Sequence, residues 1–196
     1  FIDPDTLEQK QFVETSRGPQ DLVFSDDERL LFTISPLTFE LHTIDVAAMK
    51  TVGEPVKFEQ QPRRILTDGS GTRLYVLLIG AGEKGAGAEV AVLDAKTREI
   101  QKTIPTGRQP DAMALGNGGR TLATTSFDDS TITVIDTKSL EVVATHPART
   151  GMGLAVHPEK PIAYSCESMD DVIQILDLET GKEIKTISAG AWPSYP

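Results

Sequence analysis

The sequence has little of what metal sites, disulfide frameworks and membrane spans require. Its 196 residues include one cysteine, Cys166, and three histidines. An internal disulfide is therefore excluded, and a zinc site lacks clustered Cys and His ligands. No apolar run approaches the roughly 20 residues of a membrane-spanning helix, and no segment sustains the 3.6-residue period of an amphipathic helix. With 19 basic against 29 acidic residues and a net charge of −10, nucleic acid and anionic membranes are disfavoured as partners.

What is present is a repeat of about forty residues, each copy ending an apolar run in Ile-Asp or Leu-Asp. Successive aspartates lie 42, 49, 42 and 41 residues apart. They are Asp3, Asp45, Asp94, Asp136 and Asp177. The segments between them alternate apolar and polar residues over short stretches separated by Gly, Asn and Asp turns, which is the pattern of antiparallel strands. A period of this length made of strands alone predicts the four-stranded blades of a β-propeller.

The repeat resembles the bacterial and archaeal YVTN family, named after its Tyr-Val-Thr-Asn tetrapeptide. Arg73-Leu74-Tyr75-Val76 matches the family's Leu-Tyr-Val strand, and 134–143 (Val-Ile-Asp-Thr-Lys-Ser-Leu-Glu-Val-Val) matches its Ile-Asp-Thr-x-Thr/Ser ending. The naming tetrapeptide itself is replaced, at 123–126 and 164–167. The resemblance implies a fold similar to the propellers of surface-layer, quinoprotein and haem d1-type proteins, and a periplasmic or extracellular location. It says little about function, because propellers host many unrelated activities.

The repeat register predicts a single all-β propeller domain with four complete blades. The blades are expected at 16–59, 60–106, 107–148 and 149–189, with 1–15 ending one blade and 190–196 starting another. The family resemblance implies a ring of roughly seven blades, within the range that propellers adopt. We therefore expect further blades to complete the ring. The alternative is that a second copy of the chain completes an eight-bladed ring.

The recurring aspartates are predicted to be structural. A carboxylate at a strand end, followed by Thr or by Glu-Thr-Gly, is positioned to cap the turn by accepting hydrogen bonds from backbone N–H groups. We therefore expect turn caps rather than a row of catalytic carboxylates.

Arginine recurs in the turns that open the innermost strands, at the mouth of the propeller's central channel. The residues are Arg17, Arg63, Arg64, Arg108 and Arg149. A ring of guanidinium groups predicts binding of carboxylate or phosphate groups, presented by an anionic small molecule or a protein partner. The alternative is that each arginine pairs with a local acid such as Asp21 or Asp111, or simply solvates its loop.

Three other features are weaker candidates for ligand or partner contacts. His146 lies near Arg149, and by resemblance to haem-holding propellers it is a candidate ligand. Trp192 is expected in another inner-strand turn, where it would line the mouth or pack on the next blade. The glycine-rich segment 80–88 predicts a long loop, which in propellers often contacts partners. Cys166 is expected to be a small buried hydrophobe.

No nucleophile elbow, phosphate-binding loop or metal-ligand cluster occurs in the sequence. The leading prediction is therefore a non-catalytic, cofactor-free propeller that binds a ligand or protein, or acts as a scaffold, through the arginine-bearing face. One alternative is a propeller subunit of a periplasmic oxidoreductase that holds a quinone or haem. Another is a module of a cell-surface adhesin.

Overall fold

The computed structural model describes residues 1–80, 82, 87–149, 151–191 and 193. These residues contain no helix and form antiparallel sheets. The first blade comprises β1 (Asp21–Phe24), β2 (Leu30–Ser35), β3 (Glu40–Asp45), β4 (Lys50–Thr51) and β5 (Val56–Lys57). The second comprises β6 (Gln61–Thr67), β7 (Arg73–Ile79), β8 (Glu89–Asp94) and β9 (Ile100–Pro105). The third comprises β10 (Pro110–Gly116), β11 (Thr121–Ser126), β12 (Thr131–Asp136) and β13 (Glu141–Pro147). The fourth comprises β14 (Gly151–Val156), β15 (Ile162–Glu167), β16 (Val172–Asp177) and β17 (Glu183–Ser188).

Within each blade the strands pair with their sequence neighbours, which makes every sheet a meander of antiparallel strands. The predicted all-β class and its four-stranded blades are thereby confirmed. The first blade differs in its outermost strand, where β4 and β5 both pair with β3. The interruption contains Gly53, with a φ of 69°, and Pro55, which has no N–H to donate to a ladder.

Apolar cores fill the spaces between successive blades. Strand β7 serves two of them, because neighbouring side chains on a strand point to opposite faces. Leu74 and Val76 pack with residues of the first blade, whereas Tyr75 and Leu77 pack with residues of the third. The blades are therefore stacked face to face, and the innermost strands β1, β6, β10 and β14 lie side by side.

The core between the third and fourth blades uses smaller side chains, among them Ala112, Ala123 and Ala163. Gly116 allows a close approach here, since a Cβ at this position would lie 2.6 Å from Val156 Cγ1 and 2.7 Å from the His157 carbonyl oxygen. These two blades are consequently held against each other near the end of β10.

Because neighbouring strands are antiparallel, the turns fall at two ends of the stack. The mouth end carries the turns that precede each innermost strand and those that join second to third strands. The opposite end carries the remaining turns, including those that follow the repeated aspartates. The predicted glycine-rich loop joins β7 to β8 at the mouth end, although 81 and 83–86 lie outside the described residues. In the part of the chain that is described, no helix is long and apolar enough to span a membrane.

Candidate functional site

The aspartates at the opposite end cap turns, as the sequence predicts. Asp94 Oδ1 accepts hydrogen bonds from the backbone N–H groups of Lys96 and Thr97, at 2.9 and 2.7 Å. The same arrangement recurs at Asp136 and Asp177, and Asp45 accepts one such bond from Ala48. Hydrogen bonds from these backbone groups hold the pKa of Asp94, Asp136 and Asp177 below the usual range. These carboxylates serve as turn caps. The remaining candidate residues belong to the mouth end.

Two of the predicted arginines form the same ion pair in successive blades. Arg108 Nε lies 2.7 Å from Asp129 Oδ1, and the Arg108 backbone N–H donates to Asp129 Oδ2 at 2.7 Å. In the next blade, Arg149 Nη1 lies 2.5 Å from Asp170 Oδ2. Each pair joins the turn before an innermost strand to the turn between second and third strands. The backbone and side-chain bonds from Arg108 lower the pKa of Asp129.

A third arginine joins two blades. Arg63, on β6, places Nε 3.1 Å and Nη2 2.5 Å from Asp111 Oδ1 at the start of β10. Its neighbour Arg64 donates from Nη1 to the Arg63 carbonyl oxygen at 3.1 Å. Asp21, the other acid named as a possible partner, accepts the backbone N–H of Ile65 at Oδ2, at 3.0 Å. Local acids therefore engage three of the predicted arginines.

Arg17 differs from the others. It precedes Gly18-Pro19 as Arg108 precedes Gln109-Pro110, but Thr38 occupies the turn position where the third and fourth blades have an aspartate. The carbonyl oxygen of Arg17 accepts a hydrogen bond from Ser35 Oγ. Its exposed guanidinium makes no ion pair with any residue that the structure describes.

The other two predicted contacts fall elsewhere. His146 Nε2 lies 2.9 Å from the Leu178 carbonyl oxygen, and the ring packs against Gly181. Both partners belong to the turn after β16, so His146 links the third blade to the fourth and does not line the mouth. Trp192 lies outside the described residues.

The mouth end contains a cavity of about 670 Å³ that spans three blades. Its apolar walls come from Ile79, Pro110, Phe127, Met152 and Met169. Its polar edge comes from Arg63, Gln109, Asp111, Asp128 and Ser168. Of this set, only Arg63 belongs to the predicted site. The apolar walls were missed, although Phe127 and Met169, apolar residues in the turns after second strands, were a usable signal.

Directly before the cavity-lining Ser168, β15 ends in a buried carboxyl group. Glu167 is 1% exposed, and neither of its side-chain oxygens has a hydrogen-bond partner among the described residues. Burial raises the pKa of Glu167, and the nearby Ser165 hydroxyl offsets part of that rise without meeting the geometry of a hydrogen bond. The adjacent Cys166 is buried as expected, and desolvation raises the pKa of its thiol, which opposes reactivity.

Within the described part of the chain, no group of three or more His, Cys, Asp or Glu side chains is arranged to hold a metal ion. The mouth is therefore characterised by its apolar cavity and its arginine–aspartate pairs.

Comparison with known proteins identifies the architecture. The sequence matches no protein-family model and no curated protein sequence. Its structure is similar to Kuenenia stuttgartiensis hydrazine synthase, with a TM-score of 0.67 and 13% identity over 99% of this chain and 81% of that chain. It is also similar to the structure of U3-55K, with a TM-score of 0.74 and 12% identity over 89% of this chain. The chain covers 53% of U3-55K, about half its length. Both are propeller-type folds with four-stranded blades, so at these identities the likeness establishes the fold alone.

Proposed function

We propose that this propeller is a non-catalytic binding or scaffolding protein whose ligand or protein partner occupies the cavity at the mouth end. The observation that carries the proposal is the cavity itself, at about 670 Å³ and lined by three blades. That volume falls in the range of small-molecule sites, which are concave and mostly apolar with a few polar groups.

Exposed apolar side chains at the mouth support the proposal. Phe127 is 40% exposed and Met169 is 71% exposed, and both line the cavity. Apolar side chains grouped in a concavity with a polar edge are typical of a surface that a ligand or partner covers. Methionine suits such a surface because its flexible side chain adapts to the shape of what binds.

In this proposal the arginines do not act as a ring of free cations. Arg63, Arg108 and Arg149 are neutralised by aspartates and fix the shape of the rim. Arg17 is the arginine best placed to meet a carboxylate or phosphate of a larger partner, since it is exposed and has Thr38 beside it in place of an acid. The proposed location, periplasmic or extracellular, rests on the family resemblance of the repeat.

The test uses a neutral apolar dye, Nile red, whose fluorescence rises on entering an apolar site. We expect the protein to bind the dye, Met152→Trp to obstruct part of the cavity and weaken the signal, and Phe127→Ala to weaken it by removing a wall. The matched control is Ile184→Trp, since Ile184 is 54% exposed on the outermost strand of the fourth blade, away from the cavity. Equal dye binding by Met152→Trp and Ile184→Trp would contradict the proposal.

The oxidoreductase alternative has a separate test. The purified protein is expected to show no visible absorbance, whereas a haem Soret band or a quinone band would replace the binding proposal with that alternative.

A further inference from the structure

The cavity at the mouth combines apolar walls with an uncompensated negative charge. Asp128 lies on its edge, next to Phe127. Among the residues that the structure describes, nothing makes a hydrogen bond or an ion pair with the Asp128 carboxylate. The negative charge of Asp128 acts electrostatically on Arg108. That guanidinium is paired with Asp129 instead, with Arg108 Nη2 2.6 Å from Asp129 Oδ1. Asp128 is therefore a carboxylate available to something outside the chain.

The other charges at the edge do not cancel Asp128. Arg63 is the cationic side chain that lines the cavity, and its Nη2 lies 2.5 Å from Asp111 Oδ1. This pair is close to neutral as a unit. The cavity therefore keeps the charge of Asp128, within a protein whose net charge is −10. A ligand that carries positive charge is attracted to this cavity, and an anion is repelled from it.

The apolar walls are also suited to a cation. The face of an aromatic ring attracts a cation electrostatically, and Phe127 places such a ring next to Asp128 in the cavity lining. Met152 and Met169 add polarisable sulfur atoms to the wall. A cation with a bulky apolar body would bury that body against these side chains while its charge lies beside Asp128.

We propose that the mouth cavity binds a hydrophobic organic cation, such as a quaternary ammonium or an amine with an aromatic or alkyl body. This inference rests on the proposed function, because it names the ligand class of the same cavity. The apolar body is held by Phe127, Met152 and Met169, and the positive charge is held by Asp128 and the face of Phe127.

The experiment compares two ions of nearly the same size and shape but opposite charge, tetraphenylphosphonium and tetraphenylborate. Binding of each is measured by equilibrium dialysis at low and at high salt. We expect the cation to bind at least about tenfold more tightly at low salt, and the difference to shrink at high salt because Asp128 is exposed to solvent. Asp128→Asn should remove most of the preference for the cation. Glu159→Gln is the matched control, since it changes net charge equally at an exposed turn of the opposite end and should leave the preference intact.

The outcomes separate the two proposals. Failure of both ions to bind, or binding that Met152→Trp does not reduce, would contradict the proposed function as a whole. Binding of tetraphenylborate as tightly as tetraphenylphosphonium, with both weakened in Met152→Trp, would leave the binding function standing and overturn the assignment of a cationic ligand. An equal effect of Asp128→Asn and Glu159→Gln would show that net charge, and not Asp128, selects the ion.

Discussion

At the opposite end of the blades one arrangement is repeated, whereas at the mouth end the side chains change from blade to blade. The repeated arrangement is an aspartate that follows the third strand and accepts backbone N–H groups of its own turn, as Asp94 and Asp136 do. At the mouth, Arg63 reaches the next blade, Arg108 binds an aspartate within its own blade, and Arg17 makes no ion pair with a described residue.

The two ends differ in which residues their interactions require. A carboxylate that binds backbone N–H groups two and three residues later needs only its own turn, so the arrangement works in every blade. Blades three and four are also joined through backbone at this end, by Asn117 N–H to the His157 carbonyl at 2.8 Å and Gly118 N–H to the Pro158 carbonyl at 2.6 Å. The mouth is instead joined by side chains, which can be replaced without disturbing the strands. The contacts of the opposite end therefore recur from blade to blade, whereas the side chains of the mouth can differ between blades.

Gly116→Ala is expected to have the largest effect, because it breaks the backbone contact between the third and fourth blades. The added methyl group would lie 2.7 Å from the His157 carbonyl oxygen and 2.6 Å from Val156 Cγ1, and backbone cannot move aside as a side chain can. We expect a loss of about 3 kcal/mol, the upper part of the range for overpacking, and a fall in Tm of about 6–12 °C. Thermal unfolding followed by circular dichroism measures the fall in Tm. Gly190→Ala is the control, since nothing lies within 4 Å of its added Cβ; equal melting of the two variants would refute the close contact.

Glu167→Gln tests whether the negative charge of Glu167, at the mouth end, destabilises the fold, whereas the charges of the turn-capping aspartates at the opposite end stabilise it. The pKa of Glu167 is raised by burial, so its ionisation destabilises the fold progressively as the pH rises above the unfolded value of about 4.3. We expect the variant to be more stable than the wild type by about 1–2 kcal/mol at pH 7, and nearly equal to it at pH 4. Melting curves at the two pH values decide the matter, and a variant less stable at pH 7 would show that Glu167 has a partner.

Asp136→Ala removes one of the repeated turn caps. Two hydrogen bonds to backbone N–H groups, at 3.0 and 2.8 Å, are lost, and we expect destabilisation of about 1 kcal/mol at pH 7. The pKa of Asp136 is lowered by the Ser139 N–H. The stability that it contributes is therefore present above the unfolded value of about 3.9 and is lost as the pH falls through the lower folded pKa. Urea unfolding at pH 7 and pH 3 measures the difference. Asp128→Ala, at the mouth, should match the wild type at both pH values.

The two ends also differ in how far the sequence predicts them. Strands and turn caps depend on residues close together in the chain, so the spacing of Asp94, Asp136 and Asp177 was enough to predict both. Arg63 pairs with Asp111, which lies 48 residues later in the chain. The sequence indicated Asp111 only as one of several acids with which an arginine could pair. The cavity was not predicted, because its walls come from three blades and their proximity depends on how the blades stack. His146 faces the turn after β16 for the same reason, since the packing of neighbouring blades decides what a strand end meets.

Thr38→Asp is expected to have the smallest effect on stability, and it would make the first blade resemble the third and fourth at the mouth. The new carboxylate would stand where Asp129 and Asp170 stand in their blades, within reach of Arg17. Ion pairs between exposed side chains contribute little because water already solvates both groups, so we expect Tm to change by less than about 2 °C. Thermal unfolding of Thr38→Asp measures the gain of such a pair in the first blade, and that of Asp129→Asn measures the loss of the Arg108 pair in the third. A change in either variant as large as that of Gly116→Ala would mean that the mouth carries stability as the opposite end does. A small change would mean that the charges of the mouth can be altered for a ligand at little cost to the fold.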